Sequence, residues 1–296
     1  MKSKQAMATF FAILAAALYA LNAPFSKLLL REIPPAMMSA LLYLGAGFGL
    51  FLVGVVQKKK GLQSKELPLT KKELPYTIGM VVLDIAAPIC LMAGLTMSSA
   101  ANASLLNNFE IVATSVIALF VFKEAISKRL WLAIALVTLS SVILSVKDMS
   151  SFSFSYGSLL VLLACICWGF ENNFTRKLSC KNPLQIVVVK GTCSGLGSLV
   201  IALSLGQGAN HIGYILAALL LGFVAYGLSI FFYIYAQREL GAAKTGTYYA
   251  VAPFIGVTLS LLIFKEAPTA SFVVALLVMA AGTYFASTDQ KTHANP

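Results

Sequence analysis

This chain of 296 residues is 59% hydrophobic and only 11% charged, with 22 Lys and Arg against 11 Asp and Glu and a net charge of +11. Soluble domains carry roughly a quarter charged residues, so the composition excludes a soluble globular protein and indicates an integral membrane protein. The basic residues sit mostly in connections between apolar runs, where positive charge orients membrane helices, and no nucleic-acid partner is expected.

Crossing a hydrocarbon core takes about 20 apolar residues as helix, a form that satisfies its own backbone hydrogen bonds. Such runs occupy 6–26, 36–56, 75–97, 100–122, 130–146, 157–175, 183–205, 212–236, 245–264 and 269–287. They predict an all-α membrane protein with ten transmembrane helices. Ser98, Ser99 and Asn102 mark the softest break, after Thr96. Lys2 and Lys4 before the first run resemble the start of a signal peptide, but the run is too long and Asn22-Ala23-Pro24 is a poor cleavage site. It is read as the first helix. Pro24 and Pro88 mark kinks or interruptions of the first and third helices. Gly45, Gly47 and Gly49, with Gly191, Gly195 and Gly197, let helices approach closely, a dimer contact being the lesser reading.

The chain contains itself twice. A shift of 142 lays Ala100-Ala101 on Ala242-Ala243, Leu119 on Leu261, and Phe122-Lys123-Glu124-Ala125 on Phe264-Lys265-Glu266-Ala267. A shift of 149 lays Tyr19–Lys27 on Trp168–Arg176, with Phe25 on Phe174. The plan is therefore two five-helix repeats, 1–150 and 151–296. With the N-terminus inside, the inner segments hold 17 Lys and Arg, six of them Lys58, Lys59, Lys60, Lys65, Lys71 and Lys72. The outer segments hold only Lys27, Arg31, Lys147 and Lys265. Both termini are thus expected in the cytoplasm. Five is odd, so the second repeat enters from the opposite side. Inverted repeats support two conformations open to opposite sides, with a site near the midplane. The basic loop 57–73 is a contact for anionic membrane lipid.

The second half resembles an EamA repeat of the drug/metabolite transporter superfamily through Gly222, Tyr226, Ala236, Gly241-Ala242-Ala243, Gly246, Pro253 and Glu266. In the first half Ala93, Ala100-Ala101 and Glu124 fit, whereas Ile111 stands in place of the proline. The resemblance covers essentially the whole chain. It implies ten helices, two inverted repeats, a central substrate cavity and export from the cell across the cytoplasmic membrane.

Asp84, Glu110, Glu171 and Lys190 lie well inside apolar runs. A charge there costs at least ~2.5–3.5 kcal/mol and normally faces protein or water. Ser104, Asn107, Glu110 and Thr114 form a polar stripe at helical spacing, as do Trp168, Glu171, Asn172 and Thr175; Tyr19, Asn22 and Ser26; and Tyr226, Tyr233 and Gln237. Such stripes either hold helices together or line one cavity, and the carboxylates favour the cavity. The substrate-binding candidates are therefore Tyr19, Asn22, Asp84, Asn107, Glu110, Trp168, Glu171, Tyr226 and Tyr233. Lys190 either pairs with Glu171 or snorkels to the inner surface. Glu110, deep and without an obvious cation, is the candidate to couple transport to protons or to meet a substrate ammonium.

Cys90, Cys165, Cys167, Cys180 and Cys193 lie in helices or on the inner side, so no disulfide is expected. Neither they nor His211 and His293 have metal-ligand spacing, and no metal or cofactor is predicted. No soluble catalytic portion or nucleophile–base set supports an intramembrane enzyme, and no filter or pore ring supports a channel or scaffold. The reading is a secondary transporter, monomeric or homodimeric, for an amino-acid-like or cationic organic solute. The alternative substrates, a phosphorylated metabolite or nucleotide sugar, need several cationic groups, and Lys190 stands alone.

Overall fold

The structure is a computed structural model and describes residues 2–60, 67–123, 125–148, 153–178, 181–240, 245 and 248–288. Glu124, Cys180, Gly241-Ala242-Ala243, Gly246 and His293 lie outside the described residues, as do the side chains of Lys2 and Gln237. The first apolar run forms α1 (Lys2–Ala20) and α2 (Asn22–Leu29), interrupted at Leu21 three residues before Pro24. Proline has no N–H, so the carbonyl four residues back, that of Ala20, has no helical donor. Helix α3 (Pro35–Lys59) opens on a proline at its first turn, where the missing N–H costs nothing. Helix α4 (Leu74–Met97) runs through Pro88 without a break. The next span breaks at Asn107–Asn108 into α5 (Ala100–Leu106) and α6 (Phe109–Phe122), although no proline is present. Helix α7 (Lys128–Ser145) follows.

A short antiparallel pair, β1 (Val146–Asp148) with β2 (Ser153–Phe154), joins the halves and is an exception to the all-α expectation. Then come α8 (Tyr156–Leu178), α9 (Pro183–Ser204), also opening on proline, and α10 (Ile212–Gly222). Residues Phe223–Leu228 form a π-helical turn leading into α11 (Ser229–Leu240). Helices α12 (Ala252–Phe264) and α13 (Ala270–Ser287) complete the chain. Among the described residues, nine helical spans are long and apolar enough to cross a membrane, and α12 is a shorter apolar helix. The protein is a multi-pass, essentially helical membrane protein.

Equivalent sequence makes equivalent local structure. Lys123 and Lys265 end α6 and α12 in the left-handed conformation, with φ of 59° and 53°. Ser127 and Thr269 then cap α7 and α13 by accepting from the backbone N–H three residues on. The packing has the same regularity. Helix α4 packs along α8 and α11 along α1; α6 touches α8 and α12 touches α1; α5 meets α12, and α7 meets α13. Helix α3 packs against both α9 and α10.

Glycines set these distances. A Cβ on Gly45 would lie 2.0 Å from the Leu219 carbonyl oxygen, and one on Gly222 would lie 2.0 Å from that of Leu42. Gly47 meets the backbone of Gly191 and Thr192, and Gly195 meets Leu44. These small-residue runs are thus used inside the chain. The outer faces are apolar: Phe120, Leu262, Val200 and Leu277 are 66–69% exposed, as lipid contact requires.

Helix ends are tied in sets. Glu73 pairs with Lys181 at 3.1 Å, and Asn182 N donates to Leu67 O at 2.9 Å, joining the connections before α4 and α9. Arg129, opening α7, donates to Thr288 beyond α13. At another end, Lys27 donates to the carbonyls of Leu95 and Ser98 where α4 stops, a favourable place for a cation.

Candidate functional site

The intramembrane ionisable residues gather where the central helices meet. Lys190 of α9 places Nζ 3.0 Å from Glu171 Oε1 of α8 and 3.1 Å from Asp84 Oδ2 of α4. Asp84 is fully buried and Glu171 is 2% exposed, so the ammonium is directed into the protein and does not snorkel. The Tyr43 hydroxyl donates to the other Asp84 oxygen at 2.9 Å. Thr175 donates to Glu171 one helical turn away. Taking charges out of water is costly unless they are paired and hydrogen-bonded; here each charge of the triad meets an opposite one.

Glu110 of α6 lies apart from this triad. Its Oε1 accepts from Asn172 Nδ2 at 2.6 Å, and the same amide reaches Thr114 Oγ1 at 3.2 Å. Among the described residues no cation lies within ion-pair distance of Glu110, although Glu171 and Lys190 are within electrostatic reach. The helical stripe on α8 thus divides: Asn172 holds Glu110, whereas Glu171 and Thr175 belong to the lysine.

A third group is neutral. Asn22 Nδ2 donates to the Tyr226 hydroxyl at 2.9 Å, and Ser26 Oγ donates to Asn22 Oδ1 at 3.0 Å. Tyr226 sits on the π-helical turn, its ring centroid 5.2 Å from Tyr43 and 6.0 Å from Tyr19. Tyr233 packs edge-on against Tyr249 at 4.9 Å, and Tyr249 against Tyr19 at 5.9 Å. Tyr43 therefore touches both the charged and the neutral group.

The two groups occupy corresponding positions. The shift of 149 carries Asn22 to Glu171 and Ser26 to Thr175, and the shift of 142 carries Asp84 to Tyr226. Each first residue accepts from a hydroxyl four residues on, and each faces its counterpart on a helix of the other half. On one side an amide meets a phenol directly; on the other two carboxylates share an ammonium.

The stripes meet in part, Glu110 with Asn172 and Asn22 with Tyr226. Beside them lies a cavity of about 10 Å³, lined by Tyr19, Asn22, Ser104, Asn107, Pro253 and Gly256 among others. That is room for about one water, so a metabolite can enter only if the helices separate. Tyr43 and Tyr249 were missed in the sequence. Tyr43 shares its otherwise apolar helix with one other hydroxyl, Ser39, and Tyr249 follows another tyrosine; of these tyrosines Tyr19, Tyr226 and Tyr233, already on stripes, had a signal.

Comparisons with known proteins agree on the class. The model of the EamA-like transporter family matches twice, over residues 6–146 and 155–288. A protein of Methanothermobacter thermautotrophicus, named an uncharacterized transporter, is 24% identical over 286 residues, covering 92% of this chain and 83% of that protein. A solved structure described as "Crystal structure of protein" superposes with a TM-score of 0.66 at 17% identity, covering 94% of this chain and 95% of the other. The last similarity concerns the fold alone.

Proposed function

Because the chain belongs to the EamA-like transporter family and is a membrane transporter, we propose that it moves a small amino-acid-like or cationic organic solute across the cytoplasmic membrane by alternating access. The carrying observation is the buried pair of carboxylates on Lys190, Asp84 and Glu171, with a third carboxylate, Glu110, held by Asn172 beside them, where α4, α6, α8 and α9 meet. Lys190 is committed to Asp84 and Glu171, which leaves its charge little use to an anionic phosphate. Glu110 is free to meet an ammonium, with aromatic faces of Tyr19, Tyr226 and Tyr233 nearby for cation–π contact.

The moving parts are two inverted five-helix repeats, 1–150 and 151–296. Support comes from the doubled family match, the two left-handed lysine ends, the two hydroxyl caps and the reciprocal packing of α4 on α8 and α11 on α1. The tied helix ends support a membrane orientation with both termini in the cytoplasm, since the connections before α4 and α9 share one end and are basic, holding Lys60, Lys65, Lys71, Lys72 and Lys181. Export is the direction the family resemblance implies.

Glu110 couples movement to protons or exchanges its charge between proton and substrate as access alternates. The test starts with a thermal-shift screen of amines, amino acids and sugar phosphates on purified protein, followed by flux of each hit in liposomes under an imposed pH gradient. Glu110→Gln keeps shape and hydrogen bonding but cannot titrate. Its flux is expected to stop or to lose its response to the gradient. A folded variant that transports with the parent's gradient dependence would sink Glu110 as the coupling group, and hits confined to sugar phosphates would sink the substrate class.

A further inference from the structure

The small central cavity carries a more specific assignment. Two breaks border it: the interruption of the first span after Ala20, and the Asn107–Asn108 break between α5 and α6. Ser104 and Asn107 line it and are 3% and 8% exposed, yet Ser104 Oγ and Asn107 Oδ1 have no hydrogen-bond partner. The Ala20 carbonyl, also on the wall, has lost its helical donor to Pro24. Nearly all buried polar atoms are satisfied. Two side-chain oxygens without partners and a carbonyl without its helical donor, around a space for one small body, therefore call for an occupant that offers positive charge or donors.

We propose that this cavity binds one monovalent cation of sodium size; its role in the transport cycle, beside the proton assigned to Glu110, rests on the transport reading above. Interrupted membrane helices serve this purpose elsewhere because their unwound carbonyls can turn to an ion. The ligands are Ser104 Oγ, Asn107 Oδ1 and the Ala20 carbonyl. The compensating charge is Glu110, on the turn after Asn107 and within electrostatic reach of Tyr19 in the cavity wall. Neutral oxygens with a single carboxylate suit a monovalent ion, whereas a calcium site collects several carboxylates.

The second half supplies the space. The shift of 142 sets Gly256 against Thr114 and Tyr249 against Asn107, so no matching ligand set stands there. A Cβ on Gly256 would sit 3.0 Å from Ser104 Oγ and 3.4 Å from the Ala20 oxygen. Gly256→Ala therefore fills the site without removing a ligand.

The test uses the full chain in nanodiscs, titrated with NaCl while choline chloride holds ionic strength constant. The melting temperature is expected to rise saturably with sodium and not with choline, and radioactive sodium is expected to bind the parent directly. Asn107→Ala and Gly256→Ala should each raise the half-saturating sodium concentration at least ~10-fold, as losing one contact to a charged partner does. If either variant fails to fold, Ser104→Ala carries the same test without adding bulk. Equal stabilisation by choline, or a parent-like sodium response in the variants, would overturn the assignment and leave a buried water as the occupant. Neither result bears on transport itself, whereas intact sodium binding without flux of any solute would count against the transport reading alone.

Discussion

Removing Lys190 strands two carboxylates. At 3.1 and 3.0 Å and an effective dielectric of about 20, each attraction to the ammonium is about 5 kcal/mol. The two carboxylate oxygens share one nitrogen and lie at most about 6 Å apart, so their repulsion returns at least ~3 kcal/mol. Desolvation of each ion costs several kcal/mol, which offsets most of the remainder, and the intact triad contributes little net stability. The single variant behaves differently. Lys190→Met preserves volume but leaves Asp84 and Glu171 facing each other in a buried site, and is expected to destabilise by ~3–5 kcal/mol. Combining it with Asp84→Asn and Glu171→Gln removes all three charges and should restore most of that loss. Reversible unfolding in mixed micelles measures both. A Lys190→Met protein within about 1 kcal/mol of the parent, or a triple variant as unstable as the single one, would refute the reasoning, since removing one partner of a buried pair should cost several times more.

Tyr226→Phe keeps the ring contacts but removes the hydroxyl that accepts from Asn22. It should destabilise by ~1–3 kcal/mol on the same assay, and Asn22→Ala in that background should add only the loss of its bond from Ser26. Tyr233→Ala should weaken binding of a hit from the solute screen more than it lowers the yield of folded protein, and equal losses would return Tyr233 to packing. For orientation, a single cysteine at Asn210, exposed after α9, should react with an impermeant reagent added to intact cells. One at Lys60, at the end of α3, should react only after permeabilisation, and the opposite pattern would invert the topology.

Much of the scaffold was legible because it is written in consecutive residues. Against ten apolar runs, the described residues hold nine helices of membrane length and one shorter apolar helix. The repeated Phe-Lys-Glu-Ala encoded a repeated turn: a helix ends at Lys123 or Lys265, and a hydroxyl four residues later starts the next. Proline was a less sure guide. Pro24 accompanies a break, Pro88 does not, and the Asn107–Asn108 break needs none. A helix interruption depends on whether neighbours can take up the freed backbone groups, and Ile111 in place of a proline could not reveal that.

The sequence by itself determined the solvent this protein occupies, its span lengths and the internal doubling, because length, hydropathy and repetition are properties of the chain in order. It also marked Asp84, Glu110, Glu171 and Lys190 as exceptional, since each violates its apolar surroundings. Which of them pair was decided only in three dimensions. Asp84 reaches Lys190 across more than a hundred residues, Tyr43 links the charged and neutral groups, and Asn172 turns to Glu110 although its neighbour Glu171 turns to the lysine. The physical reason is that one residue along a helix rotates a side chain by about 100°, so adjacent groups face different partners. The glycine contacts at Gly45 and Gly222 set how closely those partners can approach.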